Sequence, residues 1–265
     1  METRSLSPLS RERNLILALL IGLALVSWVI LIWQSAYTGM GTMDMTMGMN
    51  APLFLAIWVV MMVAVMFPTA APMILTFATV HASRRAAGQT FVPTWLFVGA
   101  YMLVWSLTGV VAFALAAWAQ IIGQSVPLLA ANGARIGGGL LIVAGLYQLS
   151  PLKSICLSTC RSPLAFLMTS WRDGYLGSMR MGIEHGTYCL GCCWMLFLIL
   201  FPLGVMNVAA MAVITALIFA EKSLPTGQRV AHVAAALLIV YGALVIWMPQ
   251  LLPTYIQPMN QMEGT

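Results

Sequence analysis

The chain has 265 residues, of which 61% are hydrophobic and only 7% are charged, and its formal net charge is +5. Soluble domains carry about 25% charged residues, so this composition excludes a soluble globular protein. Apolar runs of about 20 residues recur, each long enough to cross a bilayer as a helix, and no alternating pattern typical of barrel strands is found. We therefore predict an all-α, polytopic integral membrane bundle surrounded by lipid. The basic excess indicates membrane topology rather than nucleic-acid binding.

The apolar runs predict about seven transmembrane helices within a single transmembrane domain, residues 14–250. A short basic tail, residues 1–13, precedes it. A methionine-rich loop, residues 35–50, follows the first span, and a long polar loop, residues 151–183, carries two cysteines. The predicted spans cover residues 14–34, 52–80, 93–121, 134–149, 184–203, 207–220 and 230–248.

The distribution of basic residues predicts the orientation of the chain. Residues 1–13, 81–92, 151–183 and 221–229 fall on one side and hold three, two, four and two of the twelve Lys and Arg residues. Arg135 is the one basic residue on the other side. Because basic residues concentrate in cytoplasmic loops, we predict a multi-pass protein of the bacterial inner (plasma) membrane with a cytoplasmic N-terminus. The methionine-rich loop is then external, and the cysteines lie at the cytoplasmic boundary.

The stretch from residue 181 to residue 194, MGIEHGTYCLGCCW, holds the densest set of chemically reactive side chains. On a helix with His185 at 0°, Cys189 falls at about 40°, Cys192 at about −20° and Cys193 at about 80°. One imidazole and three thiols therefore share an arc of roughly 100°, and these are ligands that suit Cu(I) and Zn(II). In a reducing cytoplasm they would remain thiols rather than form a structural disulfide.

A second pair of thiols, Cys156 and Cys160, has a C-x3-C spacing within the range of metal ligands. We predict a metal site formed by both motifs, with copper(I) as the first candidate and zinc as the second. The alternative is that the cysteines are small hydrophobic residues that only pack. No catalytic residue is predicted. The predicted metal ligands are His185, Cys189, Cys192, Cys193, Cys156 and Cys160.

Thioethers are also soft ligands that bind copper without losing a proton. The methionine-rich loop would suit external metal capture, or would simply rest on the membrane surface. Met62 and Met66 lie four residues apart in the second span, where they form either a path for metal or ordinary packing. The residues predicted for external capture are Met40, Met43, Asp44, Met45, Met47 and Met49.

Two further residues are candidate accessory groups: Glu184, beside the predicted ligands, and His232, one turn into the last span. We expect His81, which precedes two arginines, to be solvated. Charged groups at membrane depth are costly unless they are paired, so we expect Glu221 to form an ion pair with Lys222 or Arg229.

Several ordered motifs resemble a known family. They are AIWVVMMVAVMFPTAAPM from residue 56, YQLSPLKSICLSTCRSP from residue 147 and WRDGYLGSMRMGIEHGTYCLGCCW from residue 171, followed by GVMN and EKSLP. Together they resemble a bacterial family of predicted metal-binding integral membrane proteins, a domain-of-unknown-function family, from about the second span to the sixth. The resemblance implies a polytopic fold and a metal site at the two cysteine motifs, but no activity. It does not extend to the methionine-rich loop.

Three hypotheses follow for the function. The first is a soft-metal, copper-type binding inner-membrane protein that acts in metal transport, delivery or homeostasis. The second is a metal-bearing subunit of a membrane oxidoreductase, and the third is a structural subunit of a membrane complex without metal. Other membrane subunits or a periplasmic metal carrier are the candidate partners.

Overall fold

A computed structural model describes residues 8–38, 50–88, 92–205 and 207–254. These residues contain helices and no strand, which confirms the predicted all-α class. The candidate metal-capture residues between Met40 and Met49 lie outside the described part of the chain. The helices are α1 (Pro8–Thr38), α2 (Ala51–Ala86), α3 (Thr94–Ser125), α4 (Pro127–Ala131), α5 (Gly133–Gln148), α6 (Pro151–Arg161), α7 (Pro163–Ser170), α8 (Gly174–Leu198), α9 (Leu200–Leu203), α10 (Val208–Ser223) and α11 (Gly227–Trp247), followed by a 3-10 turn (Pro249–Leu251).

Five segments among the described residues are long and apolar enough to span a membrane, so the predicted number of seven is not confirmed. A sixth span is formed if α5 and α6, which are bent by 61° at their junction, act as one broken span. Helix α10 has 16 residues and extends only about 24 Å, which is short of the roughly 30 Å of a hydrocarbon core. The five segments are Arg11–Ala36, Ala51–Arg85, Thr94–Ser125, Gly174–Leu203 and Gly227–Trp247.

The stretch predicted as a polar loop, residues 151–183, is largely helical. Two Ser-Pro pairs begin helices here: Ser150 precedes Pro151 of α6, and Ser162 precedes Pro163 of α7. The hydroxyl of Ser150 accepts a hydrogen bond from the backbone N–H of Lys153 at 3.2 Å. Proline at the first helical position and serine before it are helix-start signals, which the polar composition of this stretch obscured. Helix α8 also begins earlier than predicted, at Gly174.

Helix α2 lies at the centre of the bundle and packs against α1, α3 and α10, while α8 packs against α3 and α6. Helices α5 and α11 form another closely packed pair. They cross at facing glycines: a Cβ at Gly138 would lie 2.8 Å from the carbonyl oxygen of Gly242. Small residues allow helices to approach this closely within lipid.

Two prolines lie inside α2, which continues through them to Ala86. Pro68 has no N–H, so the carbonyl of Ala64 lacks its usual helical partner. The indole N–H of Trp28 on α1 donates to that carbonyl at 3.2 Å. This bond joins α1 to the same part of α2 that carries Met66.

The outer surface of the bundle is rich in large apolar side chains. Leu25 and Val29 of α1 are 61% and 65% exposed, and Leu237 and Trp247 of α11 are 65% and 87% exposed. Contiguous apolar exposure of this kind marks a surface that contacts another apolar phase. With the long helices, it supports a membrane protein.

Candidate metal centre

Five sulfur atoms from three helices meet in the interior of the bundle. They belong to Met66 of α2, Cys160 of α6, and Cys189, Cys192 and Cys193 of α8, and we call them the sulfur cluster. The Sγ atom of Cys192 lies 3.2 Å from Sγ of Cys193 and 3.9 Å from Sγ of Cys160. The Sγ atom of Cys189 lies 3.9 Å from Sδ of Met66.

The spacing of the cysteines on α8 accounts for their convergence. Residues three or four positions apart lie on the same helix face, and α8 turns the face that carries Cys189, Cys192 and Cys193 into the bundle. These three thiols are no more than 1% exposed, whereas Cys160 is only half-buried. Cys160 is therefore the most accessible thiol of the cluster.

The two cysteines of the C-x3-C motif contact different parts of α8. The Sγ atom of Cys156 packs against Gly191, where an added Cβ would lie 2.7 Å from it. Gly191 lies on the opposite side of α8 from the sulfur cluster, at about 240° from His185. Among the described residues, no recorded contact joins Cys156 to the other thiols. The structure thus brings Cys160, and not Cys156, to the predicted ligands.

Two polar side chains contact the thiol of Cys189. The ammonium group of Lys222, at the end of α10, lies 3.0 Å from its Sγ atom. The hydroxyl of Tyr101 on α3 lies 3.1 Å from the same atom. An adjacent ammonium group stabilises a thiolate. Sequence reasoning placed neither residue in the site, although a lysine that ends an apolar helix was a signal for Lys222.

His185 is buried beside the cluster but no recorded contact joins it to a sulfur atom. Its ring packs among aromatic rings, with centroid distances of 6.0 Å to Phe97, 5.6 Å to Tyr101 and 5.5 Å to Phe166. Its Nδ1 atom has no hydrogen-bond partner among the described residues. A buried polar atom without a partner is costly, so His185 retains the capacity to bind a further group.

A cavity of about 220 Å³ adjoins the cluster between α2, α6, the start of α7, α8 and α10. Two of its walls carry cations, Arg161 and Lys222, and a thiol of the cluster, Cys160, faces the same space. The lining residues are Thr69, Pro72, Met73, Cys160, Arg161, Pro163, His185, Lys222 and Ser223.

The candidate accessory residues are dispersed. Met62 is fully buried in the core, and no recorded contact among the described residues links it to a sulfur atom. Glu184 accepts a hydrogen bond from the hydroxyl of Ser170 at 3.1 Å, and His232 is exposed on α11. Of the accessory candidates within the described part of the chain, Met66 alone contacts the cluster.

The expected solvation of His81 is wrong. Its side chain is 6% exposed because the ring packs against Phe77 and Trp171, with centroid distances of 4.7 Å and 5.0 Å. The guanidinium of Arg84 lies over the ring of Trp171 and pairs with Asp173 at 2.7 Å. The aromatic packing between α2 and the segment before α8 therefore removes this histidine from water.

The expected partners of Glu221 are also wrong. Its carboxylate is 1% exposed and pairs with Lys153 of α6 at 2.7 Å. Gln148 completes the group by donating to the carboxylate at 3.0 Å and accepting from the Lys153 ammonium. Helix α10 turns its last two charged residues in different directions, so that Glu221 faces Lys153 while Lys222 faces Cys189.

The thiols of the sulfur cluster contact one another directly. Among the described residues, no three His, Cys, Asp or Glu side chains are arranged as a preformed metal site. Metal–sulfur bonds of about 2.3 Å imply sulfur atoms about 3.5–4 Å apart. The distance between Cys160 and Cys192 meets this requirement, whereas Cys192 and Cys193, at 3.2 Å, would have to separate. Small side-chain rotations are therefore needed before a metal can bind.

Comparison with known proteins identifies the family. Neither the search of curated proteins nor the search of solved structures returned a match. The model of the PpoB2 family, described as a copper chaperone, matches residues 55–245, a region that contains every residue of the sulfur cluster and its cavity. A match over this much of the chain supports copper-related metal handling, in agreement with the expected metal-related family. The chain belongs to the PpoB2 copper chaperone family.

Proposed function

We propose that the chain is a membrane protein that binds copper(I) in the sulfur cluster and passes it on. The observation that carries this proposal is the meeting of four thiols and one thioether, from α2, α6 and α8, beside a half-buried ammonium group. Soft sulfur ligands select Cu(I). A bundle with several long apolar helices would hold this cargo at membrane depth, in a bacterial inner membrane.

The charges at the cluster favour copper(I) over a zinc tetrathiolate. Copper(I) bound by two thiolates carries one net negative charge, which the ammonium of Lys222 would neutralise. Zinc bound by four thiolates would carry two negative charges, and an unbalanced charge in a medium of low dielectric constant is costly. The thioether of Met66 is also a ligand typical of copper(I) rather than zinc.

The geometry suits transfer of the metal as well as storage. A chaperone has to release its cargo, and release by ligand exchange needs an accessible thiol next to buried ones. Cys160 is half-buried, lines the cavity and lies 3.9 Å from Cys192. Copper would therefore exchange at Cys160 and be held more deeply by Cys192 and Cys189.

The chain offers a matched pair of variants for the test, because Cys156 and Cys160 share one helix but only Cys160 contacts the cluster. Mutation of a residue that only supports a metal ligand typically lowers metal affinity by roughly 10–100-fold. We expect Cys160→Ser and Cys192→Ser, which remove ligands, to lower copper(I) affinity by more than this. Cys156→Ser should bind copper as the wild type does. Purified protein in detergent, titrated without oxygen against a chromophoric copper(I) chelator, measures these affinities.

Sulfur coordination of the bound copper would be measured by X-ray absorption on the same samples. Equal copper affinity in wild type, Cys160→Ser and Cys192→Ser would overturn the site. Loss of binding in Cys156→Ser alone would assign the metal to the other side of α8.

A further inference from the structure

The charged side chains that line the cavity beside the sulfur cluster are positive, whereas a path for metal cations is expected to carry negative charge. Among the described residues, the lining of the cavity includes two cations and no Asp or Glu. The cations are Lys222 and Arg161, whose guanidinium also donates to the carbonyl oxygens of Leu224 and Pro225. Three carboxylates in the described part of the chain have partners elsewhere in the fold. Glu221 pairs with Lys153, Glu184 accepts from Ser170, and Asp173 pairs with Arg84.

A cleft lined by one sign of charge concentrates ligands of the opposite sign and raises their association rates by about 10–1000-fold. The same field repels free or hydrated metal cations. The cavity therefore favours an anionic ligand.

Two features show where such a ligand would react. Cys160 lines the cavity and is the one half-buried thiol of the sulfur cluster, so it joins the cavity to the buried thiol of Cys192 at 3.9 Å. His185 also lines the cavity, and its buried Nδ1 atom lacks a partner among the described residues. A buried nitrogen of this kind is satisfied when a ligand or a water molecule binds there.

We propose that the chain exchanges copper(I) as an anionic complex with small thiols, and that Cys160 is the first protein ligand to receive it. This inference rests on the copper-binding function proposed above and adds the chemical form of the cargo. At about 30 Å³ per water molecule, the cavity of about 220 Å³ holds roughly seven waters. This volume admits one thiolate arm of a small complex, within the positive field of Arg161 and Lys222.

The exchange step conserves charge and electrons. Copper remains in the +1 state throughout. A bond forms between copper and Sγ of Cys160 while the bond between copper and one small thiolate breaks, and the departing thiolate takes up the proton that Cys160 loses. A second exchange of the same kind moves copper to Cys192, and the second small thiol leaves protonated.

The first experiment uses metal-free protein, so that it does not depend on copper binding. Cys160 is labelled with two methanethiosulfonate reagents of similar size, one with a sulfonate group and one with a trimethylammonium group. Each rate is divided by that of a free thiol in solution. We expect the anionic reagent to react with Cys160 at least about tenfold faster after this correction, with the preference falling as salt screens the cations.

Ser223 provides a matched pair of variants because it is exposed, lines the cavity and is not part of the sulfur cluster. Ser223→Asp places a negative charge at the cavity and should remove most of the preference for the anionic reagent. Ser223→Asn, of similar size but uncharged, should retain it. Equal corrected rates for the two reagents in the wild type, or equal behaviour of the two variants, would overturn the inference.

The second experiment loads copper(I) from three small thiols that differ in charge: 3-mercaptopropionate, 2-mercaptoethanol and 2-aminoethanethiol. Their bis-thiolate complexes are respectively most negative, less negative and positive. Loading is followed by absorption of the copper–thiolate bond, and the rates should fall in that order in wild type and level out in Ser223→Asp. Equal rates from the three complexes would overturn the inference but leave the copper site intact. Failure to load from all three would overturn the proposed function together with this inference.

Discussion

Two lysines at neighbouring sites have different partners. Lys153 of α6 is fully buried and pairs with the carboxylate of Glu221, with Gln148 completing its hydrogen bonds. Lys222 is the residue after Glu221, yet its ammonium group lies against Sγ of Cys189. The first cation is neutralised by a hard oxygen ligand, whereas the second lies beside a soft ligand that also suits a metal.

The difference assigns different roles to the two groups. The group formed by Lys153, Glu221 and Gln148 joins the ends of α5, α6 and α10, and all of its members are buried. It orients α10 so that the following residue, Lys222, points to the sulfur cluster. The Lys153 pair is thus structural, while in the proposed copper site Lys222 would provide the charge that balances a copper–thiolate complex.

Breaking the structural pair should have the largest effect. Lys153→Met leaves the carboxylate of Glu221 buried without a counter-charge, and removal of one partner of such a pair costs about 3–5 kcal/mol of the free energy of unfolding. We expect a lower unfolding midpoint in detergent, measured by heating or by a graded denaturant. The double variant Lys153→Met/Glu221→Leu should recover part of the loss, because it removes both charges. A single variant as stable as the wild type would contradict the structural role.

The second prediction concerns the other lysine. Lys222→Leu should reduce copper(I) affinity by about 10–100-fold, the equivalent of one charge-assisted hydrogen bond at about 1.5–3 kcal/mol. Lys222→Arg, which retains the charge, should lose less. The measurement is the chelator competition described for the cysteine variants, with the unfolding midpoint as a control for folding. If Lys222→Leu lowered the unfolding midpoint as much as Lys153→Met, the two lysines would not have the different roles proposed here.

The smallest effect is expected from the thioether. Met66→Leu should weaken copper(I) binding several-fold, since one soft ligand is lost while the thiols remain. Met62→Leu is the matched control, because both methionines are fully buried on α2 and Leu–Met exchange in a core usually costs less than about 1.5 kcal/mol. Copper affinities measured side by side would test this difference, and equal affinities would remove Met66 from the site.

The face of α8 that carries the thiols could be predicted from the sequence, because the angular positions of residues on a helix depend on local geometry alone. A spacing of three and four residues places His185, Cys189 and Cys192 on one face whatever the surroundings. Helix starts at Ser150–Pro151 were equally local signals, although the polar composition of residues 151–183 led to a loop prediction. The choice between Cys156 and Cys160 was not local, since both occupy the same helix and the close contact at Gly191 separates them.

The sequence by itself determined the all-α class, with helices long and apolar enough to span a membrane, and the face of α8 that carries the thiols. These follow from composition, residue type and helical period. Only the tertiary structure decided that Met66 and Cys160 join that face, that Lys222 rather than Glu221 reaches it, and that His81 is buried. Those outcomes depend on which helices cross and at what rotation, and contacts between residues far apart in the chain leave no periodic trace along it.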